Sequence, residues 1–277
     1  MSRARLAGAQ PPPLLLPAVI QGVTPQLSHR DLLRLLACCH ELRALEWIDL
    51  DLSDEALPAP RALTLATAYG QRFCLSFTVD RCSQEALTSL LQLPGLRSLS
   101  VRPPSVTSPD LSVRSLAATA TATGLRQLRL LHSIAKDISD VSPLSGLHSL
   151  THLAMHHASG LVDLAPLAEC RSLQTLDLRR CARVVDLRGL AREGGAVSRQ
   201  LSTLTLQGCC ELRDASPLCA LRRLRVLDLS RAASLEDVSS LGRCAELHTL
   251  VLTGWCALPP NRTQNRSPRT CSSPFRW

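Results

Sequence analysis

The sequence predicts an α/β solenoid, with a parallel sheet along one side and short helical or 3₁₀ segments along the other. Three observations predict it. The phrase Leu-x-x-Leu-x-Leu returns with first leucines at 125, 150, 173, 201, 224 and 247, at intervals of 25, 23, 28, 23 and 23 residues. A fixed period in that range marks a stack of identical supersecondary units. A second phrase, Asp-x-x-Pro-Leu or a close variant, follows in the later half of each repeat. Hydrophobic residues reach 45% while aromatics are only 3%, which suits repeated aliphatic layers better than one large globule.

Taken in order, residues 1–15 form a Pro- and Arg-containing leader expected to be disordered. Residues 16–41 are expected to be an N-terminal helical cap. Ser28-His-Arg-Asp31 has capping-box spacing, and Leu32, Leu33, Leu35, Leu36 and Cys39 form a helical stripe after it. The repeat array then occupies residues 42–256. Its first phrase is Leu42-x-x-Leu45-x-Trp47, and residues 51–70, with Pro58 and Pro60, read as a loop or a degenerate repeat. Cys74-x-x-Phe77-x-Val79 and Leu96-x-x-Leu99-x-Val101 restore the register. The next interval holds Pro103, Pro104 and an Ala/Thr run, and is expected to be a long return arm without a strand.

In the regular repeats the second phrase reads Asp140-Val-Ser-Pro-Leu144, Asp163-Leu-Ala-Pro-Leu167, Asp186-Leu-Arg-Gly-Leu190, Asp214-Ala-Ser-Pro-Leu218 and Asp237-Val-Ser-Ser-Leu241. Aspartate caps a helix start, and proline is tolerated in the first turn because its missing N–H would have no partner there. The five extra residues of the 28-residue interval fall within residues 192–199 and are expected to bulge on the convex side. Residues 257–277 form a basic tail expected to be disordered. The open end of the array needs a cover, supplied by this tail, by further chain or by a second copy.

The net charge of +8 comes from arginine, since Lys136 is the only lysine. The twelve cysteines resemble a disulfide set, but their positions argue against one. Cys82, Cys181 and Cys209 fall eight residues after a first position. Cys39, Cys170 and Cys244 fall three before one, and Cys74 takes a first position itself. These are slots where a solenoid buries small apolar groups, a role free cysteine fills. No Cys-x-x-Cys or zinc spacing occurs, so a reducing compartment, cytoplasmic or nuclear, is expected. Residues 11–20 are apolar but broken by proline and too short to span a membrane. Asn261 and Asn265 match a glycosylation pattern, which carries little weight without a secretory route.

Side chains alternate along a strand. With the leucines at positions one, four and six turned inward, positions three, five and seven face the concave side, and position eight can join them. The expected partner-binding set is Arg102, Arg129, His132, His156, His157, Asp177, Arg179, Arg180, Asp228 and Arg231. Its densest part, Arg129, His132, His156, His157, Arg179 and Arg180, comes from three successive strands. It reads either as a solvated face or as an anion-accepting patch for an acidic protein segment, a task suited to the arginine fork. No aromatic platform is present on this face for stacking bases, which argues against nucleic acid. His152 and His156 lie on one strand, roughly 13 Å apart at about 3.3 Å per residue, and cannot share a metal. No nucleophile elbow, phosphate loop, dinucleotide fingerprint or zincin motif occurs. No enzymatic activity and no cofactor are therefore expected.

These phrases resemble the leucine-rich repeat superfamily over about residues 74–256. The variant with Cys three residues after the last leucine and Asp-x-x-Pro-Leu beyond it is similar to repeats of trypanosomatid leucine-rich proteins, one of them described as an adenylate cyclase regulator. The resemblance implies a horseshoe with a parallel concave sheet engaged in protein–protein contacts. Leu16-Pro17, Leu27, Asp31-Leu32-Leu33, Cys39 and Leu42-Arg43 also resemble an F-box, which would imply binding to a ubiquitin-ligase adaptor. Gly22, Pro25 and Leu42 depart from that pattern, and the plain alternative for residues 28–45 is a cap. Three functional readings follow: an interaction scaffold that binds through the concave face, an F-box substrate receptor, or a regulatory subunit of an enzyme such as a cyclase.

Overall fold

The structure, a computed structural model, describes residues 48–69, 73–80, 82–93, 95–102, 113–192, 194–254 and 275–276. The expected leader, the cap or F-box at 16–45, the phrase at Leu42–Trp47 and most of the tail lie outside these residues. Among the described residues, ten strands form one sheet in chain order, and the first nine run parallel. They are β1 (Ile48–Pro58), β2 (Phe73–Asp80), β3 (Leu96–Arg102), β4 (Gln127–Leu130), β5 (His152–Met155), β6 (Thr175–Asp177), β7 (Thr203–Thr205), β8 (Val226–Asp228), β9 (Thr249–Val251) and β10 (Phe275–Arg276). β10, inside the expected tail, pairs antiparallel with β9 and extends the sheet at that edge.

Register follows the leucines. Leu99, Leu128, Leu153, Leu176, Leu204, Leu227 and Leu250 are successive partners across the sheet. A one-residue slip would turn every leucine of a strand outward, so burial itself sets the pairing. Leucines at positions one, four and six are fully covered from β6 to β8, whereas Leu247, Leu250 and Leu252 of the last described repeat are 9%, 3% and 5% exposed. With only the two-residue β10 on its outer side among the described residues, this layer keeps some contact with water.

The return path is made of 3₁₀ turns, at Ala117–Thr121, Ser142–Leu144, Ala165–Glu169, Val197–Arg199, Ser216–Ala220 and Ser239–Arg243. Each aspartate of the second phrase accepts the backbone N–H two residues on. Asp140, Asp163, Asp186, Asp214 and Asp237 all do so at 2.8 Å. The hydroxyl and backbone N–H of the following serine hold Asp140, Asp214 and Asp237 below the usual carboxylate range.

Two expectations are refined. Of the two readings of residues 51–70, the degenerate repeat holds and the loop does not, because β1 pairs parallel with β2 and runs into helix α1 (Ala59–Tyr69), with Ala59 and Ala62 in the core. Pro60 suits the first turn of a helix. A second helix, α2 (Gln84–Leu91), is capped by the Ser83 hydroxyl and buries Leu87, Leu90 and Leu91. The earliest described repeats thus return through α-helices. The insertion at 192–199 does not simply bulge outward. It turns at Gly194, buries Val197, and its Ser198 carbonyl accepts the Arg222 N–H at 3.0 Å. The Ala/Thr run forms a 3₁₀ turn between β3 and β4, which are neighbours in the sheet, as a long return arm requires.

The buried cysteines belong to this framework. Cys181 donates to the Met155 carbonyl and Cys209 to the Leu178 carbonyl, both at 3.3 Å, and Cys170 donates to Leu144 at 3.4 Å. Each thiol joins its repeat to the one before. Burial pushes Cys170 up to about 11 and Cys82 and Cys181 up to about 12, and raises Cys209 as well, so these thiols stay protonated.

Gly189 occupies the place held by Pro143, Pro166 and Pro217 in other repeats, yet here the structure leaves little room for a side chain. A Cβ there would meet Ala165 Cβ at 2.9 Å and its backbone at 3.0 Å. Gly189→Ala is expected to lower the unfolding free energy by about 1–3 kcal/mol, read from urea denaturation. An unchanged midpoint would show that the two turns do not approach this closely.

Candidate functional site

The face of the sheet opposite the leucines is built from positions three, five, seven and eight. Not all of it is open. Thr78, Ser100, Ala154 and Thr205, all at position five, are buried, as is Ser230 at position seven. These are small side chains whose larger neighbours cover them. The face therefore offers its long polar residues and hides the short ones.

On β4 to β6 the register sets Arg129, Ala154 and Asp177 side by side. Neighbouring strands lie about 4.8 Å apart, so Arg129 and Asp177 flank the small Ala154 across roughly 10 Å. Just beyond the strands, His132 and His156 meet edge to face with ring centroids 6.5 Å apart. His156 Nε2 is buried and lies 3.2 Å from Asp177 Oδ2, an ion-pair distance rather than an aligned hydrogen bond. Asp177 Oδ1 lies 3.3 Å from Arg179 Nε and accepts the Arg179 backbone N–H at 3.3 Å. Asp177 is therefore a holding group within the patch. Asp228 has the same local role on β8, accepting the Ser230 N–H at 2.9 Å.

Position eight has a feature that alternation along a strand does not supply. His132, His157, Arg180 and Arg231 have φ of 56°, 59°, 57° and 58°, and Gly208 and Gly254 occupy the same slot at 74° and 72°. The left-handed turn aims the N–H of His157, Arg180, Gly208 and Arg231 at the carbonyl of Arg179, Gln207, Ser230 and Thr253 on the next repeat, at 2.7–2.9 Å. Each non-glycine residue there costs about 1–2 kcal/mol, offset by a bond that continues the ladder past the strand. A Cβ on Gly208 would sit 3.3 Å from Arg180 Cγ, so the Arg180 stem lies over that glycine. The two glycines were the available sequence signal for this geometry.

The structure brings together Arg129, His132, His156, His157, Asp177, Arg179 and Arg180. It adds His152, which the sequence reasoning set aside. Burial lowers the His152 pKa first and the Arg129 charge second. Burial also lowers His157 most, followed by the charges of Arg180, His156 and His132. Three expected residues stand apart. Arg102 ends β3, while Asp228 and Arg231 lie on and just after β8, with Gly208 filling the slot between Arg180 and Arg231. Among the described residues, neither Arg129 nor Arg180 has a carboxylate partner, and no group of three His, Cys, Asp or Glu could hold a metal ion. No helix among them is long and apolar enough to cross a membrane.

No protein-family model matches the chain, and no curated protein matches it. Among solved structures, an internalin (inlF) from Listeria monocytogenes is similar, with 18% identity and a TM-score of 0.51, covering 88% of this chain and 57% of its own. The chain thus spans somewhat over half the length of that internalin. Internalin C2 from the same organism shares 24% identity at a TM-score of 0.44, covering 65% and 68% of the two chains. The leucine-rich repeat domain of the type III effector XopL shares 17% at 0.46, covering 90% and 98%. The likeness to the first is one of fold, and with the parallel sheet and 3₁₀ returns it makes this chain's fold a leucine-rich repeat solenoid.

A pH dependence follows from the lowered histidines. Their unfolded forms bind protons more readily than their folded forms, so stability is full above the ordinary imidazole range and falls as pH drops through it. His157→Asn keeps a residue that tolerates positive φ and removes the titration. Urea denaturation across pH 5.5–7.5 is expected to show a shallower pH slope for this variant than for the parent. An identical slope would mean that His157 is not coupled to the surrounding cations.

Proposed function

We propose that the chain is a non-enzymatic interaction scaffold that binds an acidic segment of a partner protein on the open face of β4 to β6. The carrying observation is the pair Arg129 and Arg180. Each is exposed and has no carboxylate partner among the described residues, at the margin of a cluster whose one carboxylate, Asp177, is already engaged by Arg179 and His156. Such a cluster attracts an anion and leaves the guanidinium forks free to grip it. Successive strands give a row of sites at sheet spacing, which suits an extended acidic segment lying across them.

The reading takes the protein to act in the cytoplasm or nucleus, supported by the buried cysteines placed as apolar fillers. Arg102, Asp228 and Arg231 extend the surface on either side rather than forming its centre. The F-box reading depends on residues 16–45, outside the described structure, and no feature of the sheet face favours it or the cyclase-regulator reading.

The test is affinity purification with mass spectrometry, using the parent chain and an Arg129→Glu, Arg179→Glu, Arg180→Glu variant as baits. Partners carrying acidic segments are expected with the parent and lost with the variant, each reversal weakening binding by roughly tenfold, about 1.4 kcal/mol. The circular dichroism spectrum should be unchanged. A partner retained equally by both baits would refute the patch.

A further inference from the structure

Cys219 and Cys244 differ from every other described cysteine. Their Sγ atoms are 3.2 Å apart. The buried thiols of Cys170, Cys181 and Cys209 point at backbone carbonyls, and Cys210 is exposed with its thiol on the Gly208 carbonyl. Cys219 lies in the 3₁₀ turn Ser216–Ala220, and Cys244 directly follows the turn Ser239–Arg243 of the next repeat. The Cys244 thiol donates to Cys219 Sγ, and the Cys219 thiol donates to the Ser240 carbonyl at 3.0 Å.

The repeat geometry explains the meeting. Cys244 falls three residues before a first leucine, the slot of Leu147, Cys170 and Leu221. Cys219 follows the leucine of the second phrase, the slot of Ser145, Ala168, Ala191 and Gly242. Stacking sets these two slots against each other in successive repeats. Cys170 shows the same approach, since its thiol reaches Leu144, one residue before Ser145. Between the repeats that begin at Leu201 and Leu224, the two facing slots both hold cysteine.

We infer that Cys219 and Cys244 form an oxidation-sensitive clip, a disulfide that ties the return turn of the repeat beginning at Leu224 to that of the repeat beginning at Leu201. A bonded pair is about 2.05 Å apart, so the sulfurs have roughly 1.2 Å to close, within reach of side-chain rotation. A small disulfide such as oxidised glutathione supplies the oxidant. Cys219 is half-buried and Cys244 buried, so Cys219 is the one such a molecule reaches. Its thiolate attacks one glutathione sulfur, breaking that S–S bond and releasing a glutathione thiolate. Cys244 then attacks Cys219 Sγ in the mixed disulfide, giving up its proton to the second glutathione as that leaves. Two protein thiols lose two electrons and two protons, and one oxidised glutathione becomes two reduced ones. Burial first, and then the Cys219 contact, push Cys244 up to about 12, so the second step is the slow one.

The clip falls where the array needs support. Leu247 and Cys244 are each 9% exposed, the highest values in the apolar core, and they lie where the chain passes into the last described repeat. Crosslinking the turns closes a loop in the unfolded ensemble and holds that layer down. The inference does not depend on the proposed function.

The test is to treat the full chain with oxidised glutathione, digest it without reduction and map the disulfides by mass spectrometry. Hydrogen exchange of the oxidised and reduced chain is compared in parallel. A Cys219–Cys244 linked peptide is expected, lighter by two hydrogens than the two reduced peptides together. Amides of Ser239–Leu252 should exchange roughly tenfold more slowly when oxidised, with the effect reversed by dithiothreitol and absent in Cys219→Ser, whose partly exposed site tolerates the change. A glutathione adduct persisting on Cys219 without the linked peptide, or Cys219 joined to a different cysteine, would overturn the clip. So would a linked peptide without slower exchange.

Discussion

A single repeat cannot bury its own leucines, and everything else in the structure depends on that. Each three-residue strand offers too little area to hold a fold alone, but a neighbour at about 4.8 Å covers one side of its leucine row and a second covers the other. Because each layer is nearly a copy of the last, any residue type suited to a slot recurs in that slot. Hence the columns of the regular repeats: leucine, or Met155, at positions one, four and six, cysteine or alanine at position nine except at Ser133, and aspartate at the start of the return turn. Each column answers a local demand. The buried slot wants a small apolar group, and the turn wants an acceptor for its exposed N–H.

The same constraint decides where recognition can occur. Residues facing the leucines are fixed by packing, so variation is confined to the opposite face and the turns. There, position five is often too short to be seen from outside, and the surface is made by the longer side chains around it. The cluster across β4 to β6 is internally balanced in its middle, where Asp177 holds Arg179 and sits beside His156. It is unbalanced at Arg129 and Arg180. The left-handed turn at position eight contributes by projecting His132, His157 and Arg180 from a strained but hydrogen-bonded backbone. That strain persists because the N–H bonds to the next repeat from His157, Arg180 and Arg231 depend on it.

Much of this was legible in the sequence because periodicity is a direct record of stacking. The leucine positions, the aspartate caps and the burial of most array cysteines all follow from spacing. Residues 51–70 were legible only as a choice between a loop and a degenerate repeat, since their prolines suggested a break, while Pro60 opens a helix where proline fits. The insertion at 192–199 was legible as extra length, but a count of residues does not reveal that Val197 finds a place in the core. Positive φ at position eight was visible only by setting Gly208 and Gly254 in one column with His157 and Arg180. The meeting of Cys219 with Cys244 joins two different slots in different repeats, which no single column displays. His152 escaped because its contact with Arg129 runs diagonally between strands.

The central claim is that the face of β4 to β6 accepts an acidic segment. The most direct measurement is an NMR titration of the imidazole resonances with a poly-glutamate peptide. The account predicts that the His132, His156 and His157 resonances shift together on addition of peptide, while those of His248 at the far end of the array stay unmoved. Shifts confined to His248, or spread equally over all histidines, would contradict it.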